Sequence, residues 1–228
     1  MNSPKPSFLK TIIFGILTVL ISTTLCFGQT KTEQLDELLN QYLDYGKFNG
    51  SVLVADQGKV MYKKGFGMAN MEWDIPNKPN TKHRLGSVTK QFTAMLILQL
   101  VAEGKIDLQT PITTYLPDYP KENGDKITTH HLLTHSSGMP NYTAFPDFFA
   151  AESRNPYTPD QFVKKFEDKE LEFTPGEKFN YSNSGYFLLG VLIEKLSGKT
   201  YEEMLHEKIF TPLAMHDSGY DNHNDILK

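Results

Sequence analysis

Ser87 and Lys90 have the side-chain types and the spacing of a nucleophile and its base. A serine hydroxyl is a weak nucleophile until a neighbouring base accepts its proton, and a lysine amine can be that base only where burial lowers its pKa. Residues 91–101 are mostly apolar and contain no proline or glycine, which predicts a buried helix with Ser87 as its N-cap. The N–H groups at such a helix end suit a developing oxyanion. Ser-x-x-Lys also occurs on solvated helices, so the pair alone leaves an ordinary helix start as the alternative.

The elements that must position this pair change type along the chain. An amphipathic helix over 32–45 precedes a β-hairpin with strands at 51–55 and 60–66, and residues 68–84 are predicted to be irregular. Beyond the helix that starts near Ser87, further helices are predicted over 130–134, 160–168, 185–196 and 201–210. A hairpin with one helix is only marginally stable by itself, so this sheet is expected to lack partner strands.

The first 28 residues resemble a secretory signal peptide. Two lysines precede an apolar run at 11–21, which is the length of a signal core and short for a membrane span of about 20 residues. We therefore expect cleavage near Gly28, with an uncleaved membrane anchor as the alternative, and one domain over 29–228. The single cysteine, Cys26, lies in this leader, so the mature chain is expected to have neither a disulfide nor thiol catalysis.

Composition limits the classes of partner. The chain has 228 residues, 39% of them hydrophobic, which is enough for one sizeable core. Its net charge is −4 and no basic run is present, so binding to nucleic acid is disfavoured. Contact with a membrane is expected only if the leader stays uncleaved.

Two motifs resemble those of the serine β-lactamase and penicillin-binding protein superfamily, in particular its class C β-lactamase and esterase branch. Ser87-Val88-Thr89-Lys90 resembles the Ser-x-x-Lys motif, and Tyr181-Ser182-Asn183 resembles the Tyr-x-Asn motif. The stretches at 131–138 and 173–177 are similar to segments between them, and the resemblance extends from about residue 49 to 220. It implies an α+β fold, in which an antiparallel sheet flanked by helices and an all-helical lobe form the two walls of a cleft.

The resemblance also implies roles for four side chains. Ser87 would be the acylated nucleophile, Lys90 its base or proton shuttle, and Tyr181 a second proton relay, while Asn183 would donate to the substrate amide and to Lys90. It implies no metal or organic cofactor. The implied activity is that of an exported, periplasmic or secreted serine hydrolase acting through an acyl-enzyme on a β-lactam, a D-amino-acid peptide of the cell wall or a small ester.

The third motif of that superfamily, Lys-Thr-Gly or His-x-Gly on a C-terminal strand, does not occur within residues 184–228. The chain therefore resembles the N-terminal part of the family, without the strand that supplies a second oxyanion donor. A catalytically inactive truncated fragment, or a non-catalytic binding protein, is the alternative function.

Four histidines invite other interpretations. His130, His131 and His135 have no zinc-site spacing and no cysteine joins them, so we interpret them as capping and packing residues. His83 lies close to Ser87 in sequence, but no Gly-x-Ser-x-Gly elbow surrounds that serine, which argues against a hydrolase triad.

The loop between the two motifs contains two further patterns. Asn141-Tyr142-Thr143 matches a glycosylation sequon by pattern only. The aromatic cluster of Phe145, Phe148 and Phe149 is interpreted as loop packing, with lining of a substrate cleft as the alternative.

Overall fold

The computed structural model describes residues 29–222, which divide into two compact units between Lys82 and His83. The predicted signal peptide lies outside the described residues, and the expectation of one domain over 29–228 stays a prediction. Within residues 29–222, every helix is too short or too polar to pass through a membrane.

The first unit consists of one helix and two antiparallel strand pairs. Helix α1 spans Lys31–Asp44, strands β1 and β2 span Gly50–Asp56 and Lys59–Phe66, and strands β3 and β4 span Met68–Asn70 and Ile75–Pro76. Gly50 pairs with Phe66 across the first hairpin. The predicted helix and hairpin are confirmed.

The β3–β4 pair replaces the irregular segment expected after residue 67. Its strands are only three and two residues long, too short for an alternating pattern to be visible in the sequence. The connection between them is held by local polar contacts, because the side chain of Asn70 accepts the backbone N–H of Trp73 at 2.9 Å.

Apart from one isolated β-bridge between Pro111 and Thr128, the regular elements in the described part of the second unit are helices. Its α-helices are α2 (Lys90–Ala102), α3 (Lys121–Gly124), α4 (Thr129–Leu133), α5 (Pro159–Val163), α6 (Asn183–Ser197) and α7 (Tyr201–Leu205). Two of the predicted helices have different bounds in the structure. The helix that starts at Pro159 ends five residues earlier than expected, and the one after Thr200 changes to a π-helical turn over His206–Phe210. The combination of antiparallel strands and separate helices is α+β, as predicted.

The two long helices, α2 and α6, pack against each other and form the centre of this unit. The apolar side chains that fill their contact are fully buried: Leu96, Ile97 and Leu100 of α2, and Leu188, Leu189, Leu192 and Ile193 of α6. Burying each such side chain contributes roughly 1.5–3 kcal/mol. The opposite side of α2 carries Met95 and Leu98, each about half exposed, so that helix is less enclosed than its sequence predicts.

Candidate active site

Ser87 lies in a 3-10 turn, Gly86–Thr89, that leads directly into helix α2. The prediction that Ser87 is the N-cap of that helix is therefore wrong: Thr89 holds that position, and Ser87 lies in the turn before it. Gly86 has a φ of +52°, a backbone conformation that side chains disfavour and glycine adopts freely. The hydroxyl of Ser87 is exposed, and Lys90, the first residue of α2, donates to it from Nζ at 3.3 Å.

Tyr181 reaches the same hydroxyl although it lies 94 residues later in the chain. Its phenol donates to Ser87 Oγ at 2.7 Å. The next residue, Ser182, is the N-cap of α6 and accepts the N–H of Gly185, so Tyr181 stands just outside the helix and Asn183 is its first residue. The Tyr-x-Asn spacing follows from this arrangement: Tyr181 lies before the helix, Ser182 caps it and Asn183 begins it.

Lys90 is surrounded by uncharged partners. Its Nζ donates to Asn183 Oδ1 at 2.7 Å and lies 4.9 Å from the ring centre of Tyr181 and 5.4 Å from that of Tyr186. Contacts of this kind stabilise an ammonium group without neutralising it. The charge of Lys90 is therefore free to act on the neighbouring phenol.

The pKa of Tyr181 is lower than that of an ordinary tyrosine. Partial burial raises it, but the hydrogen bonds with Lys90 and Ser87 and the positive charge of Lys90 outweigh that effect. A phenol with a lowered pKa loses its proton more readily and can then accept one from the serine hydroxyl.

His135 supports the segment that carries Tyr181. Its ring centre lies 4.4 Å from that of Tyr181 and 4.9 Å from that of Tyr186, and its Nδ1 accepts the N–H of Ser182 at 3.1 Å. Burial and the charge of Lys90 lower the pKa of His135, which favours a neutral ring at pH 7. The packing role predicted for this histidine is confirmed, but its place beneath the tyrosine was not foreseen.

His131 has a different place, at the start of α4. It forms a capping box with Thr128, whose backbone N–H donates to Nδ1 at 3.2 Å. The capping role predicted for it is confirmed. Among residues 29–222, no three His, Cys, Asp or Glu side chains are grouped so as to hold a metal ion.

Asn141 and Thr143 contact Asn183, a function that the sequon pattern did not suggest. Asn183 donates from Nδ2 to Asn141 Oδ1 and to Thr143 Oγ1, each at 3.2 Å. Asn183 was expected to donate to Lys90, but in the structure its Oδ1 accepts from that lysine. The sequence placed Asn141 in a loop and carried no signal that this loop returns to the start of α6.

A cavity of about 640 Å³ adjoins Ser87 and Lys90 within the second unit. Six of the residues that line it are aromatic: Tyr142, Phe149, Tyr186, Phe187, Tyr201 and Tyr220. Of the loop phenylalanines, Phe149 lines the cavity, whereas Phe148 packs at a tilt against Tyr142, with ring centres 5.0 Å apart, and Phe145 packs on the core. Both interpretations of that cluster are thus partly correct.

Known proteins resemble the chain over most of its length. The family model described as Beta-lactamase matches residues 35–226. Penicillin-binding protein 4* of Bacillus subtilis (strain 168) is 35% identical over 197 residues, 85% of this chain and 43% of its own. Teichoic acid D-alanine hydrolase of Staphylococcus aureus is 33% identical over 184 residues, 80% of this chain and 44% of its own.

A solved structure shows the same similarity in three dimensions. The crystal structure of a penicillin binding protein from Bacillus halodurans matches with a TM-score of 0.73 and 33% identity, over 83% of this chain and 59% of the other. The chain spans about half the length of the curated relatives it matches.

Proposed function

The chain belongs to the beta-lactamase family, and from that premise we propose that it is an exported serine hydrolase that forms an acyl-enzyme at Ser87. One observation carries the proposal: the Oγ of Ser87 lies within hydrogen-bond distance of both the phenol of Tyr181 and the ammonium of Lys90. This is the arrangement that an activated serine requires, a nucleophile whose neighbouring base is itself oriented by a third group.

In the proposed reaction, Ser87 Oγ attacks the carbonyl carbon of the substrate while its proton passes to Tyr181. The nearby charge of Lys90 favours the deprotonated phenol that accepts it. The backbone N–H of Ser87 contributes to stabilising the oxyanion. The tetrahedral intermediate then expels the alcohol or amine, which takes the proton from Tyr181, and water releases the acyl group in the second half of the cycle.

The proposed substrate is a D-alanyl ester, a D-amino-acid peptide or a β-lactam. Each has a carbonyl carbon that a serine can attack and from which the serine can take an acyl group. Support for the D-alanyl compounds comes from the similarity to a teichoic acid D-alanine hydrolase, and support for the others comes from the similarity to penicillin-binding proteins. The aromatic cavity beside Ser87 would accept the non-reacting part of such a molecule.

The test is covalent labelling of the intact chain. We expect a fluorophosphonate probe to add one adduct, visible by mass spectrometry and located on Ser87 by peptide mapping. Ser87→Ala should abolish the adduct. Ser153→Ala is the matched control, because Ser153 is also an exposed serine in a 3-10 turn but donates to the carbonyl of Phe149.

Fluorescent penicillin and a D-alanyl ester, used in the same assay, identify the acyl donor. An absence of any adduct on the wild-type chain, or an adduct that survives Ser87→Ala, would contradict the proposal. Binding of these compounds without an adduct would instead support the non-catalytic alternative. Export is tested separately, since N-terminal sequencing of the secreted protein should begin near Gln29.

A further inference from the structure

The loop at residues 140–143 is fastened to the first turn of α6 by a set of short contacts. Ser184 Oγ donates to the carbonyl of Pro140 at 2.6 Å and accepts the N–H of Tyr142 at 3.0 Å. One residue earlier on α6, the backbone N–H of Asn183 donates to Asn141 Oδ1 at 3.1 Å. The loop and the helix start therefore form one hydrogen-bonded unit.

The backbone contact fixes which side-chain atom of Asn141 faces α6. A backbone N–H can only donate, so the atom opposite it must be the carbonyl oxygen of the Asn141 amide and not its nitrogen. That same oxygen also accepts from the side chain of Asn183 at 3.2 Å, which uses both of its lone pairs.

The orientation of Asn183 follows from that of Asn141. Its amide nitrogen must face the Asn141 oxygen, and its second hydrogen goes to Thr143 Oγ1. Its oxygen is thereby directed at Lys90. Turning the Asn183 amide by 180° would place its NH2 against the ammonium of the lysine and its oxygen against the oxygen of Asn141, which replaces attractive contacts with repulsive ones.

Both amide hydrogens of Asn183 thus have acceptors within the protein. This differs from the role that the family resemblance implied, in which Asn183 donates to the substrate amide. The side-chain oxygen of Asn183 accepts from Lys90.

We propose, on the premise of the serine hydrolase function above, that Asn141 is a positioning residue: it orients Asn183 as an acceptor that holds Lys90 beside Ser87 and Tyr181. Asn141 does not contact the reacting hydroxyl and acts through two intermediates.

Two substitutions of Asn141 by side chains of similar size distinguish its positioning role from simple packing. Asn141→Asp keeps an oxygen that accepts both hydrogen bonds, whereas Asn141→Leu keeps the bulk and removes the acceptor. We expect Asn141→Leu to slow fluorophosphonate labelling of Ser87 by roughly tenfold to a hundredfold, since small misplacements of a reacting group have effects of that size. Asn141→Asp keeps the orientation of Asn183 but adds a negative charge near Lys90, so it should slow labelling by clearly less than Asn141→Leu does.

A second measurement does not depend on activity. In ¹⁵N-labelled protein, the side-chain NH2 signals of Asn183 are assigned by their loss in Asn183→Asp. We expect both hydrogens to exchange slowly with solvent in the wild-type chain and in Asn141→Asp. In Asn141→Leu, at least one should exchange about tenfold faster, while circular dichroism shows the same helix content.

The two measurements keep the proposals separable. A wild-type chain that is never labelled would contradict the hydrolase function, and the exchange data would still decide the orientation of Asn183. Unchanged hydrogen exchange of the Asn183 amide in Asn141→Leu would overturn the positioning role. An equal slowing of labelling by Asn141→Asp and Asn141→Leu would also overturn it.

Discussion

Helix α2 has lysines near both of its ends, and the partners of these lysines differ: charged at one end and uncharged at the other. Beyond its C-terminus, Glu103 forms ion pairs of 2.8 Å with both Lys105 and Lys208. At its N-terminus, the partners that the structure gives Lys90 within residues 29–222 are a hydroxyl, a neutral amide and two aromatic rings.

The two ends of α2 also differ in which group has its pKa lowered by a lysine. The hydrogen bonds and charges of Lys105 and Lys208 lower the pKa of Glu103 to about 2, and Glu103 in turn raises the pKa of Lys208. There the opposite charges neutralise each other in solvent. Among the residues that the structure describes, Lys90 has no such partner, and its hydrogen bond and charge lower the pKa of the Tyr181 phenol instead. A lysine becomes useful for chemistry where its surroundings hold it in place and do not cancel its charge.

The largest effect should come from Tyr181→Phe. Removing the phenolic oxygen leaves Ser87 without its nearer hydrogen-bond partner, and general-base catalysis contributes typically 10²–10⁴-fold. We expect the rate of Ser87 labelling to fall within that range. Tyr42→Phe, at a half-exposed tyrosine on α1, is the control and should leave the rate unchanged.

Lys90→Met should have the next largest effect, a fall of about a hundredfold in the labelling rate, because it removes the charged amine but keeps an unbranched side chain of similar bulk. Lys105→Met, which removes one of the paired lysines at the other helix end, should not alter the rate. Equal effects of the two substitutions would show that the two ends do not differ in the way described.

The pH dependence of labelling provides a smaller but more specific test. Because its pKa is lowered, Tyr181 has a larger deprotonated fraction at any given pH, so the rate should rise with pH and the midpoint of that rise should lie below the ordinary tyrosine value of about 10. In Lys90→Met this rise should move to higher pH. Difference absorbance of phenolate between wild type and Tyr181→Phe measures the same pKa directly. His135, with its lowered pKa, titrates on the acid side of this range.

The smallest effect should come from Glu103→Gln, measured by thermal unfolding. Its lowered pKa stabilises the fold at neutral pH, so the substitution should lower the melting temperature slightly at pH 7, since exposed ion pairs contribute little. This contribution is lost as pH falls from the unfolded value of about 4.3 towards about 2, so wild type and variant should become equal near pH 2. Labelling of Ser87 should not change.

Local sequence signals predicted the elements better than their ends. The apolar face of α1 and the turn between β1 and β2 are short-range patterns, and the structure confirms both. The helix after Pro159 was predicted too long, because Phe166 is buried for its contacts with other elements and not as part of a continuous helical face. The 3-10 turn at Ser87 was read as the start of the helix that follows it.

By itself, the sequence determined the fold class, the family and the four side chains on which the proposed chemistry depends, because two spaced motifs and their flanking residues are properties of the chain alone. The tertiary structure decided how those side chains face one another. Asn141 and His135 became part of the site only when the loop and the start of α6 were brought together. The direction of each hydrogen bond there depends on which donor lies opposite which acceptor, and no local pattern in the chain records that pairing.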